Sequence, residues 1–334
     1  MVFFFNLQLD SRVNNTKKTF AVNKGVAAEI KYPSHCSKEQ NAAIKNKLVQ
    51  FQNSLFIEDE KDNSWEKYID IDSWARKYLI DEIFENLDAC AASDCFYCLN
   101  IDSVLYAGPC WDYDMTLGEN WLDNPNSFTA RRLWKDDECY TPWYNLLWKK
   151  EKFRDRVIEL YQSVCLPELT KLFNEKIADQ TKKISDAAKN NALRWGTNWA
   201  ESVEEMKSFL TKRVAFLNSA WIDGVDYKLI TLKGIGQCRF YCVVNGEKCE
   251  DLPSPKDFES DSATWYYEDT GTVFDAEKAI TEDITLSAKQ TITESKNKIT
   301  KTMLIFFSLS ALALASLFAI AIVVEIRHQR GAKK

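Results

Sequence analysis

From Thr302 to Val324 the chain runs through Leu, Ala, Ile and Phe without a single charge. A helix rises ~1.5 Å per residue, so this stretch slightly exceeds the ~30 Å hydrocarbon core of a bilayer. It reads as one transmembrane helix, and a buried core helix is the weaker alternative. Beyond it Arg327, Arg330, Lys333 and Lys334 stand against one acid, Glu325, so residues 325–334 read as a basic cytoplasmic tail. Lys289, Lys296, Lys298 and Lys301 on the other flank pull the opposite way. Met1-Val-Phe-Phe-Phe5 has neither the basic start nor the apolar length of a signal peptide. Taken literally, that places the bulk of a tail-anchored chain in the cytosol.

Everything before the anchor is long enough to bury a sizeable core and to divide into more than one part. A net charge of −6, with both signs interspersed, carries no nucleic-acid footprint. Ten cysteines fit disulfides in an oxidising compartment, and one is expected among Cys238, Cys242 and Cys249. Residues 7–10 and 27–31 read as short strands. Ser37 opens a helix, with Gln40 completing a capping box and Ile44, Leu48, Phe51 and Leu55 on one face. A second helix runs from about Asp72 to Glu85. Strands at 95–99 and 104–107 enclose the turn cluster Asn100-Ile-Asp-Ser103. Helices follow over roughly 143–164, 167–192 and 200–221, the last with a stripe of Val203, Met206, Leu210, Val214, Leu217 and Trp221. From about 230 the texture changes to short alternating segments, 237–244 and 284–288, broken by Pro253, Pro255 and Gly271. Residues 289–301 are polar and linker-like.

The hairpin over 95–107 matters because of what it returns. Asn86-Leu-Asp88 and Ser93-Asp94 precede it, and Gly108-Pro-Cys-Trp-Asp-Tyr-Asp114 follows. An acid, a small polar ligand five residues on and further acids after the next hairpin is how a catalytic base and a phosphate-carrying metal are held in phosphoryl transfer. The commonest role of Asp-rich turns is nevertheless capping and solvation. Other chemistries find less support. Cys90, Cys95, Cys98 and Cys110 imitate a cluster spacing, yet Cys95 and Cys98 face opposite sides of one strand. A hydrolase triad would have to use His35, because the other histidine, His328, lies past the membrane span. Trp111, Trp121, Trp134, Trp143, Trp148, Trp195 and Trp199 could line a sugar-binding face but are more often core.

Three stretches together resemble the CotH family of atypical, spore-coat-type secreted kinases: Tyr68-Ile-Asp-Ile-Asp-Ser73 with its helix, Glu82-Ile-Phe-Glu-Asn-Leu-Asp88, and Gly108 to Asp114. In that family an Asn-x-Asp precedes a Ser or Asn and a Tyr-bearing strand, then Gly-Pro-x-Trp-Asp-x-Asp; here these are Asn86 and Asp88, Ser93, Tyr97, and Gly108 to Asp114. Asn191-Ala-Leu-Arg-Trp195 and Lys212-Arg213 look like the family's helical tail. The resemblance covers residues 3 to 222 and implies an α+β, kinase-like lobe over 1–222, mostly helical with a β-hairpin. It implies ATP and Mg²⁺ (or Mn²⁺ or Ca²⁺) as cofactors, Asp88 as the catalytic acid, Ser93 and Asp112 as ligands of the nucleotide's metal, and Asp114 as a further metal ligand. The family's nucleotide-gripping lobe is expected upstream of Phe3, so the lobe over 1–222 reads as incomplete at its start, and a lost upstream signal would put the bulk outside the membrane. In Leu7-Gln8-Leu9-Asp10, Gln8 stands where the family has an acid, and an amide cannot replace a carboxylate in an ion pair or on a metal. Residues 230–288, with Trp265-Tyr-Tyr-Glu-Asp-Thr-Gly271 and Ile280-Thr-Glu-Asp-Ile-Thr-Leu286, resemble the small β-grasp repeats of bacterial surface proteins. The reading implied is a membrane-anchored, extracytoplasmic enzyme phosphorylating Ser or Thr of a spore-coat or cell-surface protein, with membrane lipid around its anchor and no nucleic-acid partner. Its rival is a catalytically inactive surface adhesion or interaction protein with the same fold.

Overall fold

In the computed structural model the described residues are 2–8, 19–23, 26–86, 95–118, 124–130, 143–234, 238–249, 251–258, 260 and 262–288. Strands β1 (Phe3–Gln8), β2 (Thr19–Asn23) and β3 (Val26–Tyr32) come first, then α1 (Lys38–Leu55) and α2 (Ile71–Phe84), then the hairpin β4 (Cys95–Cys98) and β5 (Tyr106–Ala107). These five strands make one antiparallel sheet in the order β2-β3-β1-β4-β5. Alternation puts Phe3, Phe5 and Leu7 on its inner face, and Phe5 pairs across with Ile30 and with Phe96. Helix α1 starts where Ser37 and Gln40 cap each other, and its expected stripe of Ile44, Leu48, Phe51 and Leu55 is fully buried against the sheet. Helix α2 begins one turn position earlier than Asp72, because the Asp70 carboxylate accepts from the Ser73 amide at 2.8 Å. Trp74 stacks on Phe96 with ring centroids 4.7 Å apart, meets Phe51 edge-on and packs at a tilt on Trp143.

The expected helix over 143–164 is divided. Helix α3 (Trp143–Trp148) ends at a corner built on Lys150, whose buried ammonium donates to the carbonyls of Ile57 and Asp59, and α4 (Glu151–Leu160) starts afresh. The expected break near 167 is absent. Helical backbone runs from Glu151 to Trp195 through α5 (Leu166–Lys171) and α6 (Ile177–Trp195), joined by two π-helical stretches, Tyr161–Cys165 and Leu172–Lys176. Pro167 has no N–H to give, and the wider turn just ahead of it lets the helix continue instead of ending. Gly196, at φ 68°, closes α6, and α7 (Trp199–Trp221) returns alongside it. Of the expected α7 stripe, Leu210, Leu217 and Trp221 reach the core, joined by Phe216 and Arg213.

A second sheet of β6 (Tyr227–Lys233), β7 (Cys238–Val244), β8 (Tyr266–Tyr267) and β9 (Ile284–Ser287) has the order β7-β6-β9-β8. Its central pair, β6 and β9, is parallel and its outer pairs are antiparallel. Ile230, Leu232, Phe258, Trp265 and Leu286 fill one face. Tyr227 and Cys242 pack against the first core, and residues 1–288 form one unit. The disulfide expected among Cys238, Cys242 and Cys249 does not form: among the described residues no disulfide joins these three cysteines. Cys238 and Cys242 sit four residues apart on one strand, roughly 13 Å at ~3.3 Å per residue, beyond disulfide reach. Among the described residues no helix is long and apolar enough to cross a membrane; the span expected over 302–324, the linker 289–301 and the tail 325–334 lie outside them.

Candidate active site

Helix α2 is buried on nearly every side, yet its last two turns carry Lys77, Asp81 and Glu82, and the equally buried Glu85 caps its end. Such charges survive burial only when paired. The Lys77 ammonium, 4% exposed, lies 2.5 Å from one Asp81 oxygen. The other Asp81 oxygen accepts from the Tyr113 phenol at 2.5 Å, and Lys77 lies 5.8 Å from the centre of that ring. Burial first, and the Asp81 charge second, push the Tyr113 phenol far above its ordinary range, so it remains a donor. Tyr113 is the residue between Asp112 and Asp114. Anchoring it to α2 seats the loop that carries both acids.

Backbone chemistry shapes the same loop. Gly108 at φ 118° takes a conformation that a side chain would strain, and Asp112, at φ 60°, is left-handed, a region that Asp tolerates better than most residues. Thr116 donates to the Tyr113 carbonyl at 2.8 Å, and the Leu117 amide donates to the Phe84 carbonyl at 3.0 Å. The acid loop and the end of α2 are thus stitched together at two places. Trp111, Asp112, Asp114 and Met115 face solvent.

Beyond α2 the chain turns through Glu85, left-handed at φ 54°, and the Asn86 amide closes the turn on the Asp81 carbonyl at 2.9 Å. Asp88, two residues on, and Ser93 lie outside the described residues, so of the expected constellation only Asp112 and Asp114 can be placed. Among the described residues no group of three or more His, Cys, Asp or Glu side chains is positioned to hold a metal. The donor chemistry of the pair nevertheless fits a hard divalent cation: two carboxylates, open to solvent, on a loop held from behind. His35 is exposed and belongs to no metal-holding group of His, Cys, Asp or Glu side chains among the described residues. Trp143 is core, whereas Trp111 and Trp195 are exposed.

Sequence reasoning did not single out Lys77, Asp81 or the buried ion pair of Glu82 with Arg213. The Arg213 guanidinium donates to the Glu82 carboxylate and carbonyl, to the carbonyls of Pro125 and Ser127, and to Thr129 Oγ1. The amides of Thr129 and Ala130 close on the Glu82 oxygens. The available signal was charge recurring at 77, 81, 82 and 85 among Trp74, Tyr78 and Ile83, where helical spacing calls for apolar residues.

Compared with protein-family models, the chain matches that of the CotH kinase protein over residues 8–217. A search of curated proteins finds no match.

Proposed function

The chain belongs to the CotH kinase family, and on that premise we propose that its acid loop serves phosphoryl transfer from ATP to Ser or Thr hydroxyls of a surface protein. The observation that carries the reading is the seating of Asp112 and Asp114 on the end of α2 through Tyr113–Asp81 and Leu117–Phe84, with Asn86-Leu-Asp88 following directly. In this reading Asp112, with Asp114 and Ser93, holds the divalent ion. When bound, that ion supplies charge neutralisation at the phosphates. Asp88 accepts the proton of the acceptor hydroxyl as it attacks. Lys77 and Tyr113 fix the loop from below. The test is radiolabel transfer from ATP with Mg²⁺ or Mn²⁺ to a Ser/Thr-rich acceptor. Asp88→Ala and Asp112→Ala should each abolish it, and transfer surviving both changes would refute these roles. Gln8 in the first strand favours the rival reading, an inactive interaction protein, and an inert wild-type chain would decide for it.

The uncharged stretch 302–324 supports a membrane anchor with the bulk of the chain outside and Arg327 to Lys334 inside. The mixed sheet of residues 227–287, with its parallel central pair, supports the β-grasp-like spacer reading. Protease added to intact cells should release the bulk of the protein. Protection of that bulk would instead mean a cytosolic arrangement.

A further inference from the structure

Segment 124–130 touches three elements that sequence separates widely. Its start, Asn124, donates its backbone amide to the Glu85 carboxylate at 2.9 Å and its side-chain amide to the Phe240 carbonyl at 2.9 Å. Phe240 belongs to β7, the edge strand of the second sheet. Asn126 donates back to the Asn124 side-chain oxygen at 3.1 Å, which fixes the side chain's orientation. Further along, Ser127 and Thr129 are fully buried, Phe128 packs on Phe216 with centroids 4.9 Å apart, and Cys242 of β7 lies 3.8 Å from the Ser127 hydroxyl. Glu85 sits between the Phe84 carbonyl, which holds Leu117 of the acid loop, and Asn86.

We propose that Asn124 is a positioning residue that couples the edge of the second sheet to the end of α2, and through the Phe84–Leu117 bond to the acid loop. The second sheet is then a working part of the site and not only a spacer. The consequence for turnover rests on the phosphoryl-transfer reading; the mechanical coupling does not. A left-handed, non-glycine turn at Glu85 persists only when its surroundings hold it, and segment 124–130, the strap, supplies one such hold on its carboxylate. Releasing Asn124 from β7 frees the strap at the point where it grips Glu85.

Two variants of the full chain separate this coupling from general damage. Asn124→Asp keeps the shape and the Asn126 bond but turns the donor facing Phe240 into an acceptor, while Asn124→Ala removes the side chain; both leave the backbone bond to Glu85. Hydrogen exchange, read by mass spectrometry on fragments containing Asn86 and Leu117, should quicken about fivefold in both, the loss of one hydrogen bond's worth of protection. Fragments of α1 around Leu48 should be unchanged. If the chain is a kinase, its kcat should fall about tenfold with the KM for ATP unchanged, because the loop is displaced and not removed. Unaltered exchange at Leu117 in both variants overturns the coupling, as does equal acceleration in α1. Quickened exchange at Leu117 in a chain that transfers no phosphate supports the coupling and sinks the phosphoryl-transfer reading.

Discussion

Tyr113 does two things that no other residue of its loop could do together. It spans from an exposed backbone to a buried carboxylate, and it keeps its proton there because burial and the Asp81 charge both oppose the phenolate. A phenylalanine would fill the same space without the bond. Tyr113→Phe should therefore cost about 2 kcal/mol, the range for a hydrogen bond to a charged group, and should loosen the acid loop without unfolding the chain. Asp81→Asn is the harsher change, because it leaves the Lys77 ammonium buried without its carboxylate. Breaking a buried pair at one end costs about 3–5 kcal/mol. Urea unfolding of both variants checks the order. Equal costs would mean that Lys77 draws little from Asp81.

At the scale of elements, α2 and α4 are fastened at the surface by Arg156, which grips Asp72 with Nε at 2.7 Å and Nη2 at 2.9 Å. Hydrogen bonds from Arg156 hold the Asp72 carboxyl below its usual range. A depressed carboxylate contributes stability that is complete above its unfolded pKa of 3.8 and is lost as pH falls through the lower folded value. Since Asp72 is nearly half exposed, the contribution is at most about 1 kcal/mol. Melting temperatures of the wild type and Arg156→Ala should differ at pH 6 and converge toward pH 2.5. A gap independent of pH would show that Arg156 acts through packing alone. Elements of this kind were legible to different degrees. The stripes of α1 and α7 and the cap of Ser37 stood out because one face of each meets solvent. Strand β6 did not, since Leu229 to Leu232 are buried consecutively and a strand covered on both faces loses its alternation. The π stretches around Pro167 were equally hidden, because proline normally marks an end. At the site, Asp112 and Asp114 could be named from their motif. Their support could not, because Lys77, Asp81 and Arg213 become meaningful only when distant segments close on them.

For the molecule between residues 1 and 288, the question is whether the second sheet is a passenger. Tyr227, the first residue of β6, packs on Phe216 with centroids 4.9 Å apart, lies edge-on to Phe128, and shares a 3.0 Å hydrogen bond with Ser219. Removing residues after 222 would expose the apolar faces of Phe216 and Phe128 and strip Asn124 of its Phe240 partner. One partly buried aromatic and two hydrogen bonds amount to roughly 3 kcal/mol, or a fall in Tm on the order of 5–10 °C for a chain of this size. A chain of residues 1–288 should accordingly melt in one transition, above that of residues 1–222. Calorimetry distinguishes the alternatives. Two independent transitions in the longer chain, the first matching the shorter chain's Tm, would mean that the sheet hangs from α7 without bracing it. In that event the contacts of Tyr227 and Asn124 would be incidental, and the acid loop would owe its position to α2 and Arg213 alone.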